Sequence, residues 1–278
     1  MAHCTTAEAE KILDKEFKVH NHGFVRLVDY MGSDSRIVQS ARVSYGAGTK
    51  TVREDAALID YLLRHDHTSP FEQVVLTFHI KMPIFVARQW IRHRTARVNE
   101  ISGRYSVMSD EFYVPESADV AKQSSDNKQG RSEEILEPEF IQSVVSSLQN
   151  GQKATYADYS ALVEKGTARE LARVNLPLSL YTEMYWQIDL HNLFHFLRLR
   201  LDVHAQKEIR DYAAVLLEIS RAVAPAAVSS FENHMHKGVR FSGEEMEELR
   251  RRLNGKEGEL SGKKLERFNE KIASGKQL

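Results

Sequence analysis

Gln73-Val74-Val75-Leu76-Thr77-Phe78-His79-Ile80-Lys81-Met82-Pro83 is the stretch whose periodicity decides the fold. Val74, Leu76, Phe78, Ile80 and Met82 alternate with Gln73, Thr77, His79 and Lys81, a period of two that puts the apolar set on one face of a strand. Pro83 ends the pairing and suits the first position of a helix carrying Ile84, Phe85, Ala87, Arg88, Trp90 and Ile91. A polar stretch, residues 92–106, therefore leaves the end of that helix.

Upstream, Phe24-Val25-Arg26-Leu27-Val28 has the alternation and branching of a second strand, where the fold is expected to begin after a polar N-terminal tail, residues 1–22. Leu58, Ile59, Leu62 and Leu63, behind the acidic pair Glu54 and Asp55, mark an amphipathic helix. Downstream, Phe112-Tyr113-Val114 is extended, and residues 117–132, rich in Ser, Asp, Lys, Gln and Gly, form a flexible insertion. Phe140, Ile141, Val144, Val145 and Leu148 predict one helix, and Tyr156, Tyr159, Leu162 and Val163 a second. Leu171 to Val174 gives a short third before Pro177. Leu178, Leu180, Met184, Trp186 and Ile188 return to period two, Asp189 can cap the helix that follows, and another apolar helical pattern runs from Ile209 through Leu216 to Val223. Strands interspersed with helices, without regular βα alternation, suggest an α+β fold in a single domain, residues 23–242. Residues 243–278 are dominated by Glu, Lys and Arg and read as a charged helical tail.

The chain of 278 residues is 42% hydrophobic and 28% charged, enough to bury a substantial core. Its 38 Lys plus Arg and 39 Asp plus Glu nearly cancel, so no net field draws it to nucleic acid or to an anionic membrane; any anionic ligand must be held by a local cluster. No basic flank and apolar core open the chain, and no window approaches the roughly twenty apolar residues that cross a bilayer, so a cytoplasmic protein is expected. Cys4 is the single cysteine, which excludes an intrachain disulfide and any zinc site of several thiolates.

The dense mixture is in residues 92–106: Arg92, Arg94, Arg97 and Arg104 with His93, Asn99, Glu100, Ser102 and Ser106. Arginine forks match phosphate oxygens, while Asn, Glu and Ser can read the edge of a heterocycle, a combination that suits a nucleotide. The plain alternative is a solvated loop. Its ends, however, are held by an apolar helix on one side and by Gly103 and an extended segment on the other, which favours a site.

With its spacing, Arg92-His93-Arg94, seven residues, then Ser102 resembles the signature of the flavin-dependent thymidylate synthases, and Asn99-Glu100-x-Ser102-Gly103-Arg104-Tyr105-Ser106 fits as its continuation. Ala41-Arg42-Val43-Ser44, His67-x-x-Pro70-Phe71-Glu72, Pro83-Ile84-Phe85-Val86-Ala87-Arg88-Gln89-Trp90 and Leu199-Arg200-x-Asp202-x-His204-Ala205-Gln206 are similar to that family as well, in the same order. The resemblance spans about residues 23–238. It implies a central, largely antiparallel sheet flanked by helices and a homotetramer with active sites shared between subunits. It also implies bound FAD, dUMP as substrate, and methylenetetrahydrofolate and NADPH as co-substrates, with no metal.

By the same resemblance His67, Ser69, Arg92, His93, Arg94 and Glu100 are expected at the flavin. The helix of Asp189, His191 and His195 approaches it too, although members commonly carry Asn-x-Arg where this chain has Asp189-Leu190-His191. Gln89, Arg92, Glu100, Ser102, Gly103, Arg104 and Arg173 are expected at dUMP, the arginines as phosphate partners, and Arg200 is the expected catalytic residue, facing the uracil and favouring ionisation at N3. C5 of uracil is a weak nucleophile, and a fixed cation beside N3 stabilises the negative charge that develops on activation. Other thymidylate synthases attack the ring with a cysteine thiolate, for which Cys4, in a polar tail, is a poor candidate. An unassisted Ser102 is no better, so the flavin must supply the reducing power, and tetrahydrofolate rather than dihydrofolate leaves.

Three further features have plainer readings. Gly46-Ala47-Gly48-Thr49-Lys50 lacks the spacing of a phosphate loop and reads as a turn. His204, just before a helix, reads by itself as a packing or capping element, and the resemblance implies that it supports Arg200. His191 and His195 stand at the i, i+4 spacing of zinc ligands, but without the intervening Glu of the hydrolase motif. A metal-dependent hydrolase and a non-catalytic nucleotide- or RNA-binding module are the rival classes, and neither accounts for several ordered motifs.

Overall fold

A computed structural model of the chain describes residues 4–43, 52–125, 130–132, 134 and 136–274, with the backbone alone at 52–54 and 274. Ser44 and the turn at 46–50 lie outside the described residues, as does the centre of the 117–132 segment, residues 126–129. The elements, in chain order, are α1 (Ala7–Glu10), β1 (Glu16–Val19), β2 (Gly23–Met31), α2 (Asp34–Arg42), α3 (Val52–Arg64), β3 (Val75–Pro83), α4 (Ile84–Trp90) and β4 (Arg97–Glu100). They continue with α5 (Pro138–Glu164), α6 (Arg169–Ala172), β5 (Tyr181–Asp189), α7 (Leu190–Arg200), α8 (Lys207–Val223), α9 (Pro225–Phe231), α10 (Gly243–Leu253) and α11 (Gly262–Ser274).

The strand predicted from residues 73–83 is β3, the centre of a five-stranded sheet ordered β1-β2-β3-β5-β4. Every pairing is antiparallel, and β3 runs in register with β5 from Val75 opposite Asp189 to Pro83 opposite Tyr181. The architecture is thus α+β in a single domain, with one antiparallel sheet. Leu76, Phe78, Ile80 and Met82 are wholly buried, on the face that α8 and α4 cover. His79 and Lys81 point the other way into a polar ladder, where Arg26 donates to His79 Nδ1 at 2.8 Å and His79 meets Glu183 at 3.0 Å. The period of two is thereby accounted for on both faces.

One aromatic cluster sets the later site. Trp186 of β5 lies 5.2 Å from the ring of Trp90, which ends α4, and 5.2 Å from Phe196 of α7; Trp90 and Phe196 are 4.7 Å apart. All three are fully buried, and burying each side chain contributes roughly 2–3 kcal/mol, with about 0.5–1.5 kcal/mol more for a favourable ring pair. The packing holds the exit of α4, where Arg92, His93 and Arg94 follow, against the C-terminal half of α7, which ends at Arg200.

Four expectations differ from the fold. The sheet starts before Gly23, because Glu16–Val19 pairs with β2 inside the segment read as a polar tail. Arg97–Glu100 is a strand, β4, although its surroundings read as irregular; all four residues are exposed on a sheet edge, so no apolar alternation marks it. The two helices read from 140–148 and 156–163 are one, α5. The polar run around Gly151 interrupts the apolar period without interrupting the backbone, and Gln152 turns inward there to donate to the Tyr113 carbonyl at 2.9 Å. Finally, residues 117–132 are tied at their base: Gln123 bridges Arg131, and Arg131 pairs with Glu208.

The charged segment after Gly243 forms a helical hairpin. Ser242 and Glu245 make a capping box at the start of α10. The buried Glu248 carboxylate accepts from the backbone N–H groups of Glu259 and Leu260 in the connection, at 2.7 and 3.1 Å. Phe268 of α11 is buried beneath the Arg252 guanidinium, 4.9 Å from its ring centroid.

Candidate active site

Of residues 92–106, Arg92, His93, Arg94 and Thr95 line one cavity and Glu100, Ile101 and Gly103 a second, while Arg97, Asn99, Ser102, Arg104 and Ser106 line neither. The first, of about 430 Å³, is lined by Arg92, His93, Arg94, Thr95, Ile188, Asn192, His195, Leu199 and Arg200. It contains no carboxylate. The second, of about 320 Å³, has Glu100, Gly103, Glu170, Arg173 and Thr182 among its polar and backbone lining, with Met108, Leu176 and Leu180 as its apolar wall.

Arg200 is fixed within the first cavity. Its Nε donates to His93 Nε2 at 3.0 Å, and one terminal nitrogen donates to the Gln89 carbonyl at 3.3 Å. Arginine only donates, so His93 Nε2 must be the acceptor and the ring neutral, with its proton on Nδ1. Burial, and after it the charges of Arg200 and His195, push the His93 pKa down to about 4, which keeps that acceptor available through the neutral range. Phe196 packs edge-on against the His93 ring at 4.7 Å and holds its plane.

Gln89, the residue before the end of α4, hydrogen-bonds through its side chain to Gln206 at 2.5 Å. Gln206 closes the loop that follows Arg200. His204 takes part by donating its backbone N–H to Asp202 Oδ1 at 2.8 Å, so this motif shapes the turn after the catalytic candidate.

In the second cavity, Thr182 Oγ1 donates to Glu100 at 2.6 Å and fixes that carboxylate on β4. Gly103 is buried, and a Cβ there would lie 3.1 Å from Arg173 Cδ and 3.3 Å from one of its terminal nitrogens, so the absence of a side chain lets the guanidinium lie across the backbone. Arg104 is engaged by Glu170 at 3.1 Å, whereas Arg173 has no carboxylate partner among the described residues. Ser102 supports the turn, its hydroxyl accepting from the Arg104 N–H at 3.3 Å.

The remaining predicted residues stand apart from both linings. His67 and Ser69 are exposed beyond the C-terminal end of α3, where His67 meets Tyr61 edge-on at 6.0 Å. His191 is half-buried on the first turn of α7. Asp189 spends both carboxylate oxygens on Asn192, accepting from its backbone N–H at 2.9 Å and its side-chain amide at 2.7 Å. It is Asn192, missed in the sequence, that lines the cavity; its place one residue after His191, on the helix already suspected, was the available signal. Asp189→Ala should lower unfolding stability by about 1 kcal/mol through loss of the cap, read as a shifted denaturation midpoint, while Asp189→Asn should retain most of it. Cys4 lies beside Ser33 and Ser35, at 3.1 and 3.0 Å, and lines neither cavity.

A cationic cavity with no carboxylate in its lining, beside a second one whose Arg173 has no carboxylate partner among the described residues, lies along the single antiparallel sheet of an α+β protein. A family model described as "Thymidylate synthase complementing protein" matches residues 26–226, and one described as "Thymidylate synthase ThyX C-terminal domain" matches residues 239–278. A flavin-dependent thymidylate synthase of Treponema denticola is 68% identical over 266 residues, 96% of this chain and 100% of that protein. That of Treponema pallidum is 62% identical over 277 residues, 100% and 91% of the two chains. Among solved structures, a UMP/dUMP methylase, PolB from Streptomyces cacaoi, bound with 5-Br dUMP, superposes with a TM-score of 0.71 at 30% identity, covering 79% of this chain and 99% of that one. The chain belongs to the family of flavin-dependent thymidylate synthases.

Proposed function

We propose that the chain catalyses the reductive methylation of dUMP to dTMP with FAD bound in the first cavity and dUMP reaching from the second toward Arg200. Methylenetetrahydrofolate is the one-carbon donor, NADPH the reductant, and tetrahydrofolate the released product. The observation that carries the reading is Arg200: a guanidinium held by a neutral imidazole and a backbone carbonyl inside a carboxylate-free cavity.

The donor set fits a flavin dinucleotide. Arg92 and Arg94 offer guanidinium forks, and Asn192 and the neutral His93 offer donors without competing carboxylates. When bound, the flavin supplies the two-electron chemistry that turns a transferred methylene into a methyl group. The protein's own part is electrostatic. Arg200 stabilises the negative charge that develops across N3 and O4 of the uracil as C5 becomes nucleophilic, and it does so without reorganising, because His93 and Gln89 already hold it. Arg173 takes the phosphate, Gly103 gives it room, and Ser102 and Arg104 shape the turn beside it. Glu100 borders both ligands. His67, Ser69, His191 and His195 meet the flavin from the α3 and α7 side, with Asp189 acting through Asn192. Cys4 is remote, so no thiolate is asked to attack the ring.

Assembly as a homotetramer with shared sites is supported by the rim of the second cavity and its surroundings. Tyr105, Leu171, Val174 and Leu178 are 77%, 63%, 72% and 60% exposed, an apolar border suited to a second copy. The reading places the enzyme in the cytoplasm; among the described residues no helix is long and apolar enough to cross a membrane. The test is spectroscopic. Purified protein should be yellow or bind added FAD, and its visible flavin band should bleach with NADPH when dUMP is present. Colourless protein that takes up no FAD, or stoichiometric metal with chelator-sensitive activity, would overturn the reading.

A further inference from the structure

The loop that follows Arg200 is pinned at its far end by charges to which the mechanism gives no role. Gln206, partner of Gln89, is followed at once by the first turn of α8. There Lys207 Nζ stands 2.8 Å from Asp211 and 3.3 Å from Asp119. Glu208 is 1% exposed; it accepts from the Tyr113 hydroxyl at 2.7 Å and pairs with Arg131. Arg210 closes the loop by donating to the Val203 carbonyl at 2.9 Å. Asp119 and Arg131 both come from the 117–132 segment, and Tyr113 is anchored by Gln152 through its carbonyl at 2.9 Å.

A carboxylate this deeply buried is stable only while its partners stay in place. Burial pushes the Glu208 carboxyl up, but the hydrogen bonds from Tyr113 and Arg131 outweigh it and hold the group below its ordinary range. The pairing therefore fixes one geometry between three pieces of chain, and the piece that moves if it fails carries Gln206.

We propose that the pairing of the buried Glu208 with Arg131 positions the substrate site: it seats the two ends of the segment, residues 117–125 and 130–132, on the first turn of α8, and through Gln206 that turn holds Gln89 and, by the Gln89 carbonyl, Arg200. Glu208 and Arg131 are positioning residues, since neither lines either cavity. The proposal rests on the reading above for its ligand, dUMP. Affinity for dUMP measured by calorimetry on the flavin-loaded protein tests it without turnover. If even the wild type binds no dUMP, the functional reading fails instead.

The charge balance gives the test a sign. Glu208 is met by Tyr113 and Arg131; Asp119 acts on both of these and pairs with Lys207, which also meets Asp211, and His20 stands against Asp211 at 2.9 Å and against the Tyr113 ring at 5.3 Å. Arg131→Met leaves a buried carboxylate with one phenol, so its pKa rises. At about pH 8 the ionised, unpaired group should displace the turn, and dUMP affinity should fall about tenfold with flavin content unchanged. At about pH 6, protonation should restore most of the affinity. Adding Glu208→Gln should bring affinity to within about threefold of wild type at both pH values, because the carboxamide still accepts from Tyr113 and carries no charge. Wild-type affinity in Arg131→Met, or a loss that neither acid nor Glu208→Gln relieves, overturns the proposal. Should Arg131→Met fail to fold, Glu208→Gln alone decides: about a threefold loss of dUMP affinity supports the brace, and none overturns it.

Discussion

Arg200→Ala should retain flavin and lose turnover, with kcat falling about a hundred- to a thousandfold while the visible flavin band of the purified protein stays at wild-type intensity. The expectation follows from where the guanidinium is tied. Its Nε and one terminal nitrogen are committed to His93 and to the Gln89 carbonyl, so the rest of the fork is aimed rather than free to swing. Removing it takes away a preorganised positive charge at the point where negative charge develops, and water admitted into the gap must reorganise to replace it. Arg200→Lys should recover little, because a compact ammonium lacks the planar fork that spans His93, the Gln89 carbonyl and the ring at once. The anchor also sets a pH expectation. His93 titrates near pH 4, so it remains a neutral acceptor well below the ordinary histidine range, and the wild-type kcat should show no acid limb at about pH 6.5 from this residue. Stability has the same sign. A histidine whose folded pKa is depressed favours the folded state above its unfolded pKa, and that contribution is lost as pH falls from about 6.5 toward 4. Normal turnover in Arg200→Ala would remove it from the chemistry.

How much of this could be read from the chain depends on which physical signal each part carries. β3 is legible because one face is buried and the other is not, which writes a period of two into residues 73–83. β4 is not legible, since an edge strand with four exposed side chains has no apolar pattern to display. α5 reads as two helices because Gly151 and its polar neighbours sit in a helical turn where little apolar burial is required, and helix propensity alone marks continuity poorly. Asp189 was recognised as a cap from its position, and the same residue shows why a capping reading and a ligand reading conflict: a carboxylate holding two hydrogen bonds from Asn192 has little left for a cofactor.

The site divides the same way. Arg92, His93 and Arg94 stood out as a cluster because they are contiguous. Their link to Arg200 spans 107 residues and is made by packing of Trp90, Trp186 and Phe196, which no spacing rule encodes. Only the ordered motifs of a family pointed to Arg200 in advance. The wall of the second cavity is assembled from Ile84, Met108, Leu176 and Leu180, four ordinary apolar residues from three separate segments. Each reads as core until the fold brings them together.

That cavity carries the second large expectation. Arg173→Ala should raise the KM for dUMP about ten- to a hundredfold with a much smaller effect on kcat and none on flavin content, because charge-assisted hydrogen bonds to a phosphate contribute about 1.5–3 kcal/mol. Two arginines compete for this role, and their surroundings separate them. Arg104 is already paired with Glu170 at 3.1 Å, on a surface where both side chains are more than half exposed, so its loss should be felt weakly. Arg173 has no such partner among the described residues, and it lies across Gly103 because nothing projects from that backbone. Gly103→Ala supplies an independent check: a Cβ would come 3.0 Å from Met108 Sδ and 3.1 Å from Arg173 Cδ, forcing the guanidinium aside while leaving its charge in the protein. KM should then rise in the same direction as in Arg173→Ala, by less, and the double variant should be no worse than Arg173→Ala alone, since both act on one contact. If Arg104→Ala raises KM more than Arg173→Ala does, the phosphate is held by the paired arginine after all, and Glu170 must release it on binding.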